Sequence, residues 1–189
     1  MNEAELKSYL AESGAFLEGH FLLSSGLHSP NYVQCALALK NPHWAGEMGN
    51  ALASKWDGQE PEIVLSPAMG GLIIGHEVAR AMGVDFIFTE RENNIMTLRR
   101  GFTLPKGARV IIVEDVFTTG KSTLETAAVV AAYGAEVIGA MSVINRMGEK
   151  KLPFQSVSLV KMDLTTYPPQ DCPLCKAGSP VVKPGSRKM

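Results

Sequence analysis

Residues 109–122 read Arg109-Val110-Ile111-Ile112-Val113-Glu114-Asp115-Val116-Phe117-Thr118-Thr119-Gly120-Lys121-Ser122, and this stretch decides the fold. Four consecutive branched apolar residues are too few for a helix and suit a strand buried on both faces. The run meets two acids and then a short polar turn containing glycine. From Ser122 to Tyr133 the chain is alanine-rich and helix-favouring, and Gly134 closes it. Strand, acidic pair, polar turn and helix follow one another without a spacer.

The same alternation extends in both directions. Upstream, Ile63-Val64-Leu65 is a short apolar strand broken at Pro67 to Gly71. Leu72 to Met82 is an amphipathic helix with Leu72, Ile73, Ile74 and Val78 on its core face, and Val84 to Phe88 is a second strand. Downstream, Glu136 to Ile144 is a further strand, and Val157 to Met162 is the last, at a sheet edge. Strands alternating with helices of about ten residues imply βαβ units and a mostly parallel sheet. Outside this core, Glu3 to Ser13 is helical, with Leu6 and Leu10 one turn apart. Gly14 to Asn41 is irregular, with a short strand over Tyr32 to Ala36. Pro42 to Trp56 is a helix with proline in its first turn. Thr89 to Thr103 is polar, basic and aperiodic, and the tail from Tyr167 reads as extended. The expected organisation is one α/β domain: a small N-terminal hood over about 1–40, a core over about 60–162, and a tail over about 163–189.

Bulk properties remove several function classes. At 189 residues with net charge −1, the chain has no general basic field for nucleic acid or anionic membrane, so a bound anion must be held by local geometry. No apolar run approaches the ~20 residues of a membrane span, and residues 1–7 lack the order of a signal peptide. Three cysteines in a chain of this length do not suggest a secreted disulfide scaffold, so a cytoplasmic location with reduced thiols is expected.

In open α/β sheets, ligands bind beyond the carboxyl ends of the strands. Four segments converge on that rim: Ser66 to Gly71, the basic stretch with Arg91, Arg99 and Arg100, Glu114 to Ser122, and Asn145-Arg146. Backbone N–H groups at the Thr118–Ser122 turn and the following helix start form an anion cradle. The two acids suit hydroxyl donors such as those of a ribose, or magnesium through water. Together they span a ribose 5-phosphate. Gly120-Lys121-Ser122 imitates the end of a P-loop, but Asp115 stands where that loop needs its first glycine, and Gly70-Gly71 with Gly75 does not give the dinucleotide fingerprint. The bland alternative for Glu114-Asp115 is a solvated strand end plus a helix cap, which needs neither two acids nor five small or polar residues after them.

The segment resembles the phosphoribosyl pyrophosphate (PRPP) motif of type I phosphoribosyltransferases: an apolar run, two acids, two variable residues and a Thr/Gly-rich turn. That resemblance implies a five-stranded, mostly parallel sheet flanked by helices with a small hood, Mg-PRPP as donor, and inversion at the anomeric carbon. It places Glu114 and Asp115 on the ribose hydroxyls, Val116 and Phe117 along the same segment, and Thr118, Thr119, Gly120, Lys121 and Ser122 around the 5-phosphate. Over nearly the whole length the chain looks like the orotate phosphoribosyltransferases of pyrimidine (UMP) biosynthesis. Phe21 to Pro30, containing Ser24 and Ser25, resembles their base-binding segment. Ser66 to Gly71 resembles their diphosphate loop, with Ala68, Met69, Gly70 and Gly71 on the diphosphate. Arg146 matches the arginine that grips the orotate carboxylate, and Thr118 the residue that also touches the pyrimidine. Independently, a carboxylate is best held bidentately by arginine.

Better-known members of that family carry lysine at the position of Ser24, Tyr-Lys at Met69-Gly70, and a lysine-rich mobile loop with a histidine. Here Arg91 keeps the leading arginine and Arg99 and Arg100 follow, so the diphosphate contacts shift to arginines and backbone amides. Arg91, Arg99 and Arg100 are the expected catalytic cations on a lid, Thr89 to Thr103, that in the family covers a neighbouring subunit's site and implies a homodimer. Magnesium arrives on PRPP and takes no assigned protein ligand. Cys172-Pro173-Leu174-Cys175 has the spacing of half a zinc site. Cys35 and a histidine could complete it, but with nothing in the sequence to bring them near, the pair reads as ordinary thiols. His28 reads as a pocket residue, and His20, His43 and His76 as solvent or packing residues. Two rivals remain: a phosphoribosyltransferase for another base, and a non-catalytic PRPP-sensing regulator.

Overall fold

The structure is a computed structural model that describes residues 1–23 and 25–184. Two sheets form. The larger has six strands in the order β5-β4-β3-β6-β7-β8, where β3 is Ile63–Pro67, β4 Asp85–Glu92, β5 Ile95–Leu98, β6 Arg109–Phe117, β7 Glu136–Asn145 and β8 Ser156–Lys161. β4, β3, β6, β7 and β8 run parallel, and β5 adds antiparallel to the β4 edge. This is the expected five-stranded parallel core with one extra strand, and β8 is at the expected edge.

The chemistry of each crossover fixes its boundaries. Helix α3 (Pro42–Lys55) starts where the Asn41 side chain accepts from the backbone N–H groups of His43 and Trp44, with proline just inside. Helix α4 (Gly71–Met82) ends at Gly83, whose φ of 71° closes it in the left-handed region. Helix α5 (Lys121–Ala132) packs Val130 against Leu65, Val110 and Ile87. On the other side of the sheet, Leu52 from α3 and Ile74 and Val78 from α4 pack with Val64, Ile111 and Val113. The central strands are therefore covered on both faces, which is why their sequences read as continuous apolar runs.

The N-terminal region splits between hood and core. Helix α1 (Glu3–Glu12) is capped reciprocally by Asn2 and Glu5 and buries Leu6, Tyr9 and Leu10 in the main core. β1 (Phe16–Leu22) and β2 (His28–Val33) pair antiparallel as a separate two-stranded sheet. The expected strand at Tyr32 to Ala36 is displaced. β2 is held by its pairing to β1 and stops at Val33, and Cys35–Leu39 turns into the short helix α2.

Two larger corrections concern Thr89 to Thr103 and the tail. The first is no aperiodic loop: β4 continues to Glu92 and pairs back with β5 across Asn93-Asn94. Both asparagines have positive φ, 50° and 65°, as a two-residue type I′ turn requires. The tail is not extended either. A 3-10 turn at Pro169–Asp171 and the short helix α6 (Pro173–Lys176) form there, and Tyr167 and Val182 bridge onto the β1–β2 hairpin. Among the described residues, no helix is long and apolar enough to cross a membrane.

Candidate active site

Parallel strands place all their carboxyl ends on one rim. Ala68, after β3, donates its N–H to Thr89 O at 2.8 Å, and Arg146, after β7, donates to Phe117 O at 2.8 Å. The loop after β6 thus lies between the two neighbouring loops, and the four segments expected to converge do so.

The acids lie inside β6 rather than after it. β7 runs on to Asn145 and keeps Val116 and Phe117 paired with Ile144 and Asn145, which carries the strand three residues beyond the expected Glu114 end. Glu114 is buried at 9% exposure. The Asp115 carboxylate accepts from the Val116 N–H at 2.8 Å. Burial pushes the Asp115 carboxyl above its ordinary value, and backbone donors oppose that shift. Gly70 sits directly against it: a Cβ at position 70 would lie 2.7–2.8 Å from the Asp115 carboxylate atoms. A glycine is required there by contact, because the Gly70 backbone is itself in the ordinary helical region at φ −59°.

The anion cradle is expected at the turn after β6. Thr118 and Thr119 are exposed, Gly120 takes φ 74° to start α5, and the Thr119 hydroxyl accepts from the Lys121 N–H at 3.3 Å. Only glycine adopts that φ at no steric cost. Lys121 leans toward Glu125 one turn on, at 3.8 Å.

Arg146 follows β7, next to the end of β6. Its Nε is buried and has no hydrogen-bond partner among the described residues. Burial pulls the Arg146 guanidinium down from its ordinary value, and Tyr32 and Cys35 oppose the shift. Burial, followed by the Asp115 charge, raises the Tyr32 hydroxyl, while Arg146 acts against it. The Tyr32 hydroxyl on β2 therefore feels both Asp115 and Arg146. A buried guanidinium nitrogen without a hydrogen-bond partner is costly, and an anion reaching Arg146 would relieve that cost.

A family model for the phosphoribosyl transferase domain matches residues 41–167. The orotate phosphoribosyltransferase of Pelotomaculum thermopropionicum is 45% identical over 190 residues, covering the whole of both chains, and that of Thermotoga maritima is 47% identical over 96% of this chain and 98% of its own. The chain belongs to the orotate phosphoribosyltransferase family. The crystal structure of the orotate phosphoribosyltransferase from Aeropyrum pernix superposes on this phosphoribosyltransferase with a TM-score of 0.69 and 26% identity, covering 83% of this chain and 93% of that one. An adenine phosphoribosyltransferase from Thermoanaerobacter pseudethanolicus gives 0.62 at 20% identity over 70% of this chain and 88% of that one, so the fold alone does not select the base.

The structure engages the three expected lid cations elsewhere. Arg91 pairs with Glu125 on α5 and donates to Asn94 O at 3.0 Å. Arg99 lies 3.4 Å from Glu92, and Arg100 donates to both oxygens of Glu90 at 2.7 and 2.8 Å. All three cations are occupied by carboxylates of the hairpin or of α5. Met69 is exposed beside Gly70. Ser25 lies on the turn joining β1 to β2 and its hydroxyl accepts from Leu27 N–H at 3.4 Å, whereas Ser24 lies outside the described residues. His28, expected in the base pocket, packs instead against His20, ring nitrogen to ring nitrogen at 2.8 Å. Tyr32 was not among the expected residues, and its link to Asp115 and Arg146 appears only in the folded chain. Its only signal was membership of the hood strand β2.

For a divalent cation, Glu114 and Asp115 offer the hard carboxylate oxygens that magnesium takes, and the desolvated Asp115 carboxyl gains from a nearby positive charge. The donor set fits.

Proposed function

We propose that this phosphoribosyltransferase transfers the 5-phosphoribosyl group of PRPP to orotate, releasing diphosphate, with Mg2+ carried in on PRPP. The carrying observation is the half-buried Arg146, whose Nε is buried without a partner among the described residues, near Tyr32, which also feels the Asp115 charge. Orotate is the pyrimidine with a carboxylate, and Arg146 would hold it bidentately. Thr118, Ser25 and Ser24 would complete the base site. Asp115 and Glu114 accept from the ribose hydroxyls and would reach Mg2+ through its water shell. The N–H groups of Thr118 to Ser122 hold the 5-phosphate. Ala68 to Gly71 offer backbone amides to the diphosphate.

As the glycosidic C–O bond breaks, the ribose gains oxocarbenium character and the diphosphate gains negative charge. Asp115 would fix the sugar and Arg146 the base, so that the reactants are held in line before bond breaking. Bound Mg2+ would neutralise the growing charge on the diphosphate. Arg91, Arg99 and Arg100 add cations once the β4–β5 hairpin exchanges their carboxylate partners for the leaving group, which makes the hairpin a lid. We further read the protein as one domain acting as a homodimer in the cytoplasm. The exposed apolar side chains Met69, Ile73 and Ile95 at the rim and hairpin support the dimer, and light scattering tests it.

The test is the fall of orotate absorbance with Mg-PRPP, compared with adenine, hypoxanthine and uracil. Turnover of orotate alone is expected. Equal turnover of uracil would remove the role given to Arg146.

A further inference from the structure

The tail folds onto the hood at two anchors. Tyr167 exchanges backbone hydrogen bonds with His28 at 2.8 and 2.9 Å, and Val182 donates to His20 O and accepts from Leu22 N–H, both at 2.8 Å. Between the anchors, the turn at Pro169–Asp171 and helix α6 bring Cys172 and Cys175 over the hairpin. On the hairpin, β1 carries one extra residue between Glu18 and Phe21. That bulge breaks the in–out alternation, so His20 and Phe21 are buried side by side. His20, at 3% exposure, then meets His28, at 7%, and Cys172, at 0%, while Cys175 closes the group from the surface.

The four donor atoms lie within 4.8 Å of one another. The His20 Nδ1 lies 2.8 Å from the Ser179 carbonyl and must donate to it. Nε2 of a neutral His20 is then left with a single in-plane lone pair. Three groups crowd that lone pair: His28 Nδ1 at 2.8 Å, Cys172 Sγ at 3.5 Å and Cys175 Sγ at 3.7 Å. One lone pair cannot accept three hydrogen bonds, whereas one cation can take a lone pair from each group. Tetrahedral zinc, with bonds of about 2.0–2.1 Å to nitrogen and about 2.3 Å to sulfur, sets its nitrogen–sulfur edges near ~3.5 Å. Three of the four such separations are 3.3, 3.5 and 3.7 Å, and the fourth lies within 4.8 Å. The nitrogen–nitrogen edge must open by roughly half an ångström from its 2.8 Å to fit the same tetrahedron.

We propose that His20, His28, Cys172 and Cys175 form a structural Zn2+ site that staples the C-terminal tail to the β1–β2 hairpin. Four protein ligands leave no open position, so the ion is structural rather than catalytic. The Ser179 carbonyl on the far nitrogen of His20 is the outer contact that orients a zinc-bound imidazole. Cys35, buried elsewhere, takes no part. Binding displaces the two thiol protons and changes no oxidation state.

Elemental analysis of the intact protein purified without chelator is expected to find one zinc per chain. Co2+ exchanged into the site is expected to give the visible spectrum of tetrahedral cobalt with thiolate charge transfer. Cys175→Ser alters a surface ligand and should fold. It is expected to weaken zinc retention against a competing chelator by at least about tenfold, while the exposed His43→Ala keeps zinc at the original level. Chelation of the native protein is expected to lower its melting midpoint by several degrees. Failure of the native protein to hold stoichiometric zinc after incubation with Zn2+ overturns the site. So does a Cys172–Cys175 disulfide in the freshly purified protein, or unchanged zinc retention in Cys175→Ser.

Discussion

Gly70→Ala isolates the contact between the loop after β3 and the Asp115 carboxylate. Alanine is compatible with the Gly70 backbone, which already has helical φ and ψ, so the substitution adds no conformational strain. What it adds is a methyl group 2.7 Å from Asp115 Oδ1 and 2.8 Å from Cγ and Oδ2. An ordinary contact starts at 3.4 Å, so loop and carboxylate must separate by roughly 0.7 Å. A misplacement of about 1 Å in a positioned group can cost about 100-fold in rate. The expected loss in kcat/KM for PRPP is therefore roughly 30- to 100-fold, about 2–2.7 kcal/mol at ~1.36 kcal/mol per decade. The assay is orotate consumption at varied Mg-PRPP, with the melting midpoint as a folding control. A variant that melts like the parent and keeps kcat/KM within twofold would refute the assignment of Asp115 to the donor.

Asp115→Asn separates stability from function. Burial raises the folded-state pKa of Asp115 above the unfolded value of about 3.9, so above the folded pKa the native state carries the cost of a desolvated carboxylate, and as pH falls through that window protonation relieves it. The variant is expected to melt higher than the parent at neutral pH, to lose that advantage toward about pH 4, and to bind PRPP more weakly by calorimetry. Arg146→Ala should raise the KM for orotate by roughly 10- to 100-fold, the worth of a charge-assisted pair at ~1.5–3 kcal/mol, while PRPP affinity measured alone stays near the parent value. Arg99→Ala should lower kcat by about tenfold or more in steady-state turnover, and normal turnover would remove that residue from the lid. Leu52→Ala, at a fully buried site under the sheet, should cost about 2–5 kcal/mol and lower the melting midpoint by roughly 5–15 °C in a thermal scan.

Much of the fold is legible because it is local. Val110 to Val113 can be read as a buried strand since parallel strands are covered on both faces and lose their alternation. The Gly83 and Gly134 stops are visible as single residues with positive φ, at 71° and 72°. The β4–β5 hairpin illustrates a missed local signal. Asn93-Asn94 is a two-residue hairpin turn, but Ile95 to Leu98 is only four residues long, too short for its exposed–buried alternation to stand out. The acidic pair, the Gly-rich loops and Arg146 could be placed on one rim because parallel strands share a direction.

Sequence alone thus determined the strand–turn–helix units and the rim on which their chemistry collects, since both follow from neighbouring residues and from the single hand of the parallel crossover. Tertiary structure decided the rest. It brought Tyr32 to Asp115 and Arg146, set Gly70 against a carboxylate 45 residues away, and closed the tail onto the hood. His20 and Cys172 are 152 residues apart, and no periodicity links them. Their meeting depends on a one-residue bulge and two backbone anchors, contacts whose partners lie too far along the chain for any local pattern to encode.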